Sequence, residues 1–158
     1  MSNITPFLWF DGQAEEAMNF YTSVFKDSKI NHVSRYGSAG PGPEGSVMTA
    51  SFSLNGQNFI ALNGGPLFKF TEAISFVINV KTQEEIDYYW DRLTADGGKP
   101  SMCGWLKDKF GLSWQVVPEA LDRLAGDKDP QKGQRVMKAM LKMTKMDIQA
   151  LQDAYDGK

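Results

Sequence analysis

Residues 4–10 (ITPFLWF) and 73–80 (AISFVINV) are apolar at odd and even positions alike. Side chains alternate across a strand, so this predicts two strands with neither face turned to water. Behind each, the period becomes helical. Residues 13–26 put Ala14, Ala17, Met18, Tyr21 and Phe25 on one stripe, with Asp11 placed to cap the free N–H groups. Thr82 and Glu85 form a capping box ahead of a second stripe, Ile86, Tyr89, Trp90 and Leu93, which Gly97 and Gly98 close. Strands are expected after both helices. Residues 29–36 precede a glycine-proline loop at 37–45, and residues 47–54 alternate with Met48, Ala50, Phe52 and Leu54 on one side. Asn55-Gly56 is a hairpin signal, returning through 58–62. Residues 101–106 and 112–117 flank the turn Lys107–Gly111. Past Pro118 the pattern is helical: 119–125, then 131–143 opened by Asp129-Pro130. A last helix follows a capping box of Thr144 with Asp147, carries Ile148, Leu151 and Tyr155 on one stripe, and ends at Gly157.

The chain repeats itself. FLWFDGQAEEAMNFY (7–21) aligns with FVINVKTQEEIDYYW (76–90) at a constant shift that sets Phe7 on Phe76 and Glu15 on Glu84. Each copy reads as strand, polar turn, helix, and strands follow, giving one βαβββ unit over 4–66 and a second over 70–118. The second is shorter, its middle strand abbreviated or absent. With helices over 119–158, the 158 residues make one domain of α+β class. Lys plus Arg number 17 against 19 Asp plus Glu, a formal charge of −2, which gives no field for nucleic acid or an anionic membrane. Arg135, Lys138, Lys142 and Lys145 fall on one helical face, read as solvated. No apolar run is long enough to span a bilayer, and MSNITPFLWFDG lacks the features of a secretion signal, so the expected location is cytoplasmic. Cys103, the one cysteine, excludes an internal disulfide, and is read as a small buried strand residue. His32, the one histidine, leaves no second imidazole for a metal.

Two tandem βαβββ units resemble the vicinal-oxygen-chelate superfamily, the glyoxalase/bleomycin-resistance/dioxygenase fold. ITPFLWFDGQAEEAMNFY, FIALNGGPLFKFTEAISFVINV, GWLKDKFGLSWQVVP and RVMKAMLKMTKMDIQALQDAY are similar to its PhnB-like branch, labelled 3-demethylubiquinone-9 3-methyltransferase-like. The resemblance implies a homodimer, compatible with the tail's Met137, Met140, Met143 and Met146, read as packing residues. In the superfamily, metal ligands come from the ends of the first, fourth, fifth and eighth strands. Those positions fall here near Thr5 to Phe7, Asn63, Ala73 to Ser75, and at Gln115. Neutral amides bind divalent transition metals weakly, so the expectation is no metal and no cofactor.

The functional expectation is a protein that binds a small organic ligand in a partly apolar cavity. Its expected lining is Pro6, Phe7, Trp9, Asn63, Phe76, Trp105, Ser113 and Gln115. A metal-dependent enzyme of glyoxalase or dioxygenase type, using Glu72 with Gln115, is the alternative. The methyltransferase of the family label is the weaker one. Neither glycine cluster leads into a helix, so neither forms the phosphate cradle of a doubly wound nucleotide fold.

Overall fold

The computed structural model describes residues 3–158. The chain folds as two compact units, Met1–Phe70 and Thr71–Lys158. In the first, β1 (Phe7–Phe10), α1 (Ala14–Val24), β2 (Ser28–Arg35), β3 (Val47–Leu54) and β4 (Gln57–Asn63) follow in order. The sheet runs β1-β4-β3-β2, with β1 parallel to β4 and the other pairs antiparallel. The expected hairpin forms: Asn55 and Gly56 both take positive φ, as a tight turn between β3 and β4 requires. Ala14, Ala17, Met18, Tyr21 and Val24 of α1 are buried, with Leu8, Phe10, Ala50, Phe52, Phe59 and Ala61 from one face of the sheet. Burying each large side chain in this layer contributes about 2 kcal/mol.

The second unit repeats the plan. Its elements are β5 (Ser75–Val80), α2 (Gln83–Thr94), a 3₁₀ turn at Ala95–Gly97, β6 (Lys99–Pro100), β7 (Trp105–Lys107) and β8 (Ser113–Pro118). The order β5-β8-β7-β6 matches the first sheet, again with the first and last strands parallel. The Thr82 hydroxyl accepts from the Glu85 N–H at 3.1 Å, and the Glu85 carboxylate accepts from the Lys81 N–H, so the cap acts in both directions. Ile86, Trp90 and Leu93 are buried as the stripe predicts.

Several expectations are corrected. Neither apolar strand is buried on both faces: Phe7 is 57% exposed and Val77 49%, while their neighbours Leu8 and Ile78 are buried. Asp11 does not cap α1. The Asn63 side chain does, its Oδ1 accepting from the Ala14 N–H at 2.9 Å. The continuous strand expected over 101–106 is broken, because Cys103 (φ 58°) and Gly104 (φ 81°) form a left-handed turn, so Cys103 is not a strand residue. All three later strands of this unit are present, but two are very short.

After β8 come α3 (Glu119–Ala125), α4 (Pro130–Met140) and α5 (Ile148–Asp156). Asp129 caps α4 ahead of Pro130, as expected. α5 is capped by Asp147 itself, which accepts from the Ala150 N–H, rather than by Thr144. The tail is tied to its unit by polar groups. Gln83 donates to the Met146 carbonyl and accepts from the Ile148 N–H, while Cys103 and Gly104 donate to the carbonyls of Met143 and Thr144. Met146 is buried, as a packing role requires, whereas Met137 is exposed. No helix among the described residues is long and apolar enough to cross a membrane.

Candidate functional site

The strand registers sort the expected lining residues by face. In the second sheet Trp105 pairs with Gln115, and Gln115 with Val77; in the next row Lys107 pairs with Ser113, and Ser113 with Ser75. Paired residues present their side chains on the same face. Trp114, Val116 and Pro118, which alternate with Ser113 and Gln115 along β8, are buried on the other face, the one that α2 packs against. Trp105, Ser113 and Gln115 therefore stand together on the face opposite α2. Phe76 does not join them: it pairs with Trp114, the two rings 5.6 Å apart, on the helix side. Gln115 Nε2 donates to the Ser75 hydroxyl at 2.9 Å. Ser113 is 0% exposed and its hydroxyl has no hydrogen-bond partner. A buried hydroxyl without a partner in the fold costs free energy.

Sequence reasoning missed two residues of this face, Ser75 and Lys107, and one support on the helix side, Asp108. Ser75 is brought in by the parallel β5–β8 register, which sequence does not print. Lys107 pairs with Glu72 across the β7 and β5 sides of the sheet, and that hydrogen bond holds the Glu72 carboxyl below the usual glutamate range. Asp108 is 2% exposed and accepts from the N–H groups of Phe110 and Leu112 and from the Trp114 indole, at 2.8 to 3.1 Å. The signal for it was the Asp-x-x-Gly spacing of the turn 108–111, in which a short acidic side chain takes up local backbone donors.

In the first unit Phe7 and Trp9 share the face opposite α1, since Leu8 and Phe10, which alternate with them, are buried. Trp9 is engaged there: its indole donates to the Gly65 carbonyl at 2.9 Å, and its ring meets Phe68 edge-on at 4.9 Å. Gly64 lies so close that a Cβ added there would come 2.4 Å from the Trp9 ring. Pro6 is half-buried and its carbonyl accepts from the Ile60 N–H. Asn63 pairs with Phe10 and faces α1, its amide accepting from Ala14 and donating to the Val47 carbonyl.

A cavity of about 570 Å³ lies at this end of the first unit, bordered by Asp11, Glu15, Arg35, Tyr36 and Asn63 and by the loops at 41–43 and 64–65. Of the expected lining residues only Asn63 reaches it. Several of its polar groups have partners within the fold, and the carboxylates of Asp11 and Glu15 also border it. The Tyr36 hydroxyl donates to the Asn63 carbonyl, the Ser46 hydroxyl to the Pro43 carbonyl, and the Arg35 guanidinium to the Gly45 carbonyl.

The superfamily's metal positions do not fit a divalent ion here. Asn63 spends its amide on the backbone and Gln115 is bonded to Ser75, which leaves Glu72, paired with Lys107, as a single carboxylate with no imidazole beside it. Among the described residues, no three His, Cys, Asp or Glu side chains gather as a metal site, and His32 is exposed on the edge strand β2. The four-residue basic face is also not one surface. Arg135 donates to the carbonyls of Ala154 and Tyr155 at the end of α5, and Lys145, beyond α4, pairs with Asp87 at 2.8 Å.

The sequence model of the family described as 3-demethylubiquinone-9 3-methyltransferase matches residues 2–117. The match ends within β8, ahead of α3. Among solved structures, the PhnB protein from Bacillus cereus is 44% identical over 74% of this chain and 99% of that one, with a TM-score of 0.67. A protein from Pseudomonas aeruginosa is 22% identical over 75% of this chain and 98% of that one, TM-score 0.62. The fosfomycin resistance protein FosX from Listeria monocytogenes, complexed with Mn(II) and sulfate, is 14% identical over 77% of this chain and 94% of that one, TM-score 0.53. These last two likenesses are of fold. No curated protein matches the chain in sequence. With two βαβββ units of one topology and that match over most of its length, the chain belongs to the 3-demethylubiquinone-9 3-methyltransferase-like family, the PhnB-like branch of the vicinal-oxygen-chelate superfamily.

Proposed function

We propose that this protein binds a small organic ligand, without a resident metal, on the face of the second sheet opposite α2. The observation that carries this reading is the Ser113 hydroxyl, buried and unpartnered beside Gln115 and Trp105. A ligand atom in hydrogen-bond reach would relieve that cost, while the indole of Trp105 and the side chain of Val77 supply apolar contact. The cavity of the first unit is bordered by hydroxyl and amide groups that already have partners, and these offer a ligand less to gain. The test is a screen of small organic molecules against the wild type, Trp105→Ala and Gln115→Ala. Hits that lose affinity in both variants support the site; hits that bind all three proteins alike remove it.

The reading includes a homodimer in the cytoplasm. Met137 and Leu141, one helical turn apart and 42% and 60% exposed, are apolar surface that a second copy would cover. The competing reading, a metal-dependent glyoxalase or dioxygenase using Glu72 and Gln115, requires both side chains to leave their present partners. Native mass spectrometry separates the two: a metal-free mass of twice the chain supports the first, and one chelator-sensitive ion per chain supports the second. The methyltransferase of the family description requires binding of S-adenosylmethionine, and calorimetry is expected to show no heat with it. Gly64 and Gly65 lead into a loop and not a helix, so they offer no N-terminal cradle for an anionic cofactor.

A further inference from the structure

The face opposite α2 carries three hydrogen-bond donors in one row. Lys107 on β7 is opposite Ser113 on β8, and Ser113 is opposite Ser75 on β5. Adjacent strands are about 4.8 Å apart, so the row spans about 10 Å. Lys107 brings a cation, Ser113 a buried hydroxyl, and Ser75 a hydroxyl that accepts from Gln115 and keeps its own proton to donate. The neighbouring row sets Trp105 and Val77 on either side of Gln115. Donors therefore dominate the first row and apolar surface the second, an arrangement that selects a ligand with an acceptor-rich, anionic head and an apolar body.

The fold already shows which anion Lys107 accepts. Glu72, three residues before β5, reaches it with a carboxylate. Both side chains are substantially exposed, at 38% for Lys107 and 60% for Glu72, so their pairing is weak and readily exchanged. We propose, building on the site assigned above, that the ligand is an organic carboxylate. Its head displaces Glu72 from Lys107 and takes hydrogen bonds from Ser113 and Ser75, and its body lies against Trp105 and Val77. Glu72 is then an internal stand-in for the ligand, keeping Lys107 paired until the ligand arrives.

Calorimetric titration with benzoate and with its neutral isostere benzamide tests this on the full chain. Wild type is expected to bind benzoate about tenfold more tightly than benzamide, since a charge-assisted contact is lost in the amide. Glu72→Gln removes the internal competitor and should tighten benzoate about two- to fivefold with benzamide unchanged. Lys107→Met should abolish the preference. Glu72 is exposed, so its variant folds irrespective of the outcome, and a thermal melt checks the lysine variant. Equal, Trp105-dependent binding of both compounds overturns the carboxylate assignment and leaves the site standing. Binding of neither compound to wild type or Glu72→Gln, or binding that Trp105→Ala does not weaken, overturns the assignment and the site together.

Discussion

β2 and β3 of the first unit run eight residues each, whereas the strands in the same places of the second unit, β6 and β7, run two and three. The first unit is held by a long backbone ladder. The second has lost much of that ladder and replaces it with side chains and tail: Asp108 gathers three N–H donors, and the segment between α4 and α5 accepts from Cys103 and Gly104. Polar bookkeeping differs in the same way. In the first unit the Tyr36 and Ser46 hydroxyls and the Asn63 amide find partners within the fold. In the second, Ser113 is left without one. One topology thus yields a unit that satisfies itself and a unit that does not, and the unsatisfied one is where a ligand gains most.

The largest effect should come from removing the side chain that substitutes for the missing ladder. Asp108→Ala strands two backbone N–H groups and the Trp114 indole and is expected to cost about 3 kcal/mol or more in urea denaturation. Asn63→Ala, in the first unit, removes one cap and one backbone contact and should cost about 1 to 2 kcal/mol. A larger loss for Asn63 than for Asp108 would break the comparison, because the ladder of the first unit would not be what holds it. Ser113→Ala sharpens it. With no partner to lose, the ligand-free protein is expected to gain about 1 kcal/mol, while benzoate affinity falls. A stability loss instead would show that the hydroxyl has a partner.

The smallest effect concerns pH. The hydrogen bond from Lys107 lowers the folded-state value of Glu72, so this pair stabilises the fold above the ordinary glutamate range. That contribution is lost as the pH falls through the depressed value. Melting curves taken from pH 6 down to about pH 3 should therefore show wild type losing its advantage over Glu72→Gln at the acid end. Parallel curves for the two proteins would mean that the pair adds nothing in solution.

The fold was legible where local rules act alone. The Phe7-on-Phe76 shift carries Ala14 of α1 onto Gln83 of α2, the first residue of each helix, and Asn55-Gly56, Thr82 with Glu85, and Asp129-Pro130 all form what their chemistry predicts. It was not legible where a distant group takes over a local task. Asp11 is next to α1, yet Asn63, some fifty positions later, provides the cap. The break at Cys103 was hidden because a cysteine, not a second glycine, takes the first left-handed position of that turn. For the site, alternation along β8 correctly set Ser113 and Gln115 on one face, but cross-sheet register decides the rest. It adds Ser75 and Lys107 to that face and sends Phe76 to the other.

The central claim, that ligand binds the second unit at Ser113 and Trp105 and leaves the cavity of the first unit empty, has four built-in reporters. Trp9 belongs to the first unit, and Trp90, Trp105 and Trp114 to the second. In ¹H–¹⁵N spectra of the labelled protein titrated with benzoate, the Trp105 indole resonance should move most, Trp114 and Trp90 less, and Trp9 not at all. Movement of Trp9, or of the Tyr36 and Gly64 amides around the first unit's cavity, with Trp105 unmoved, would contradict the account.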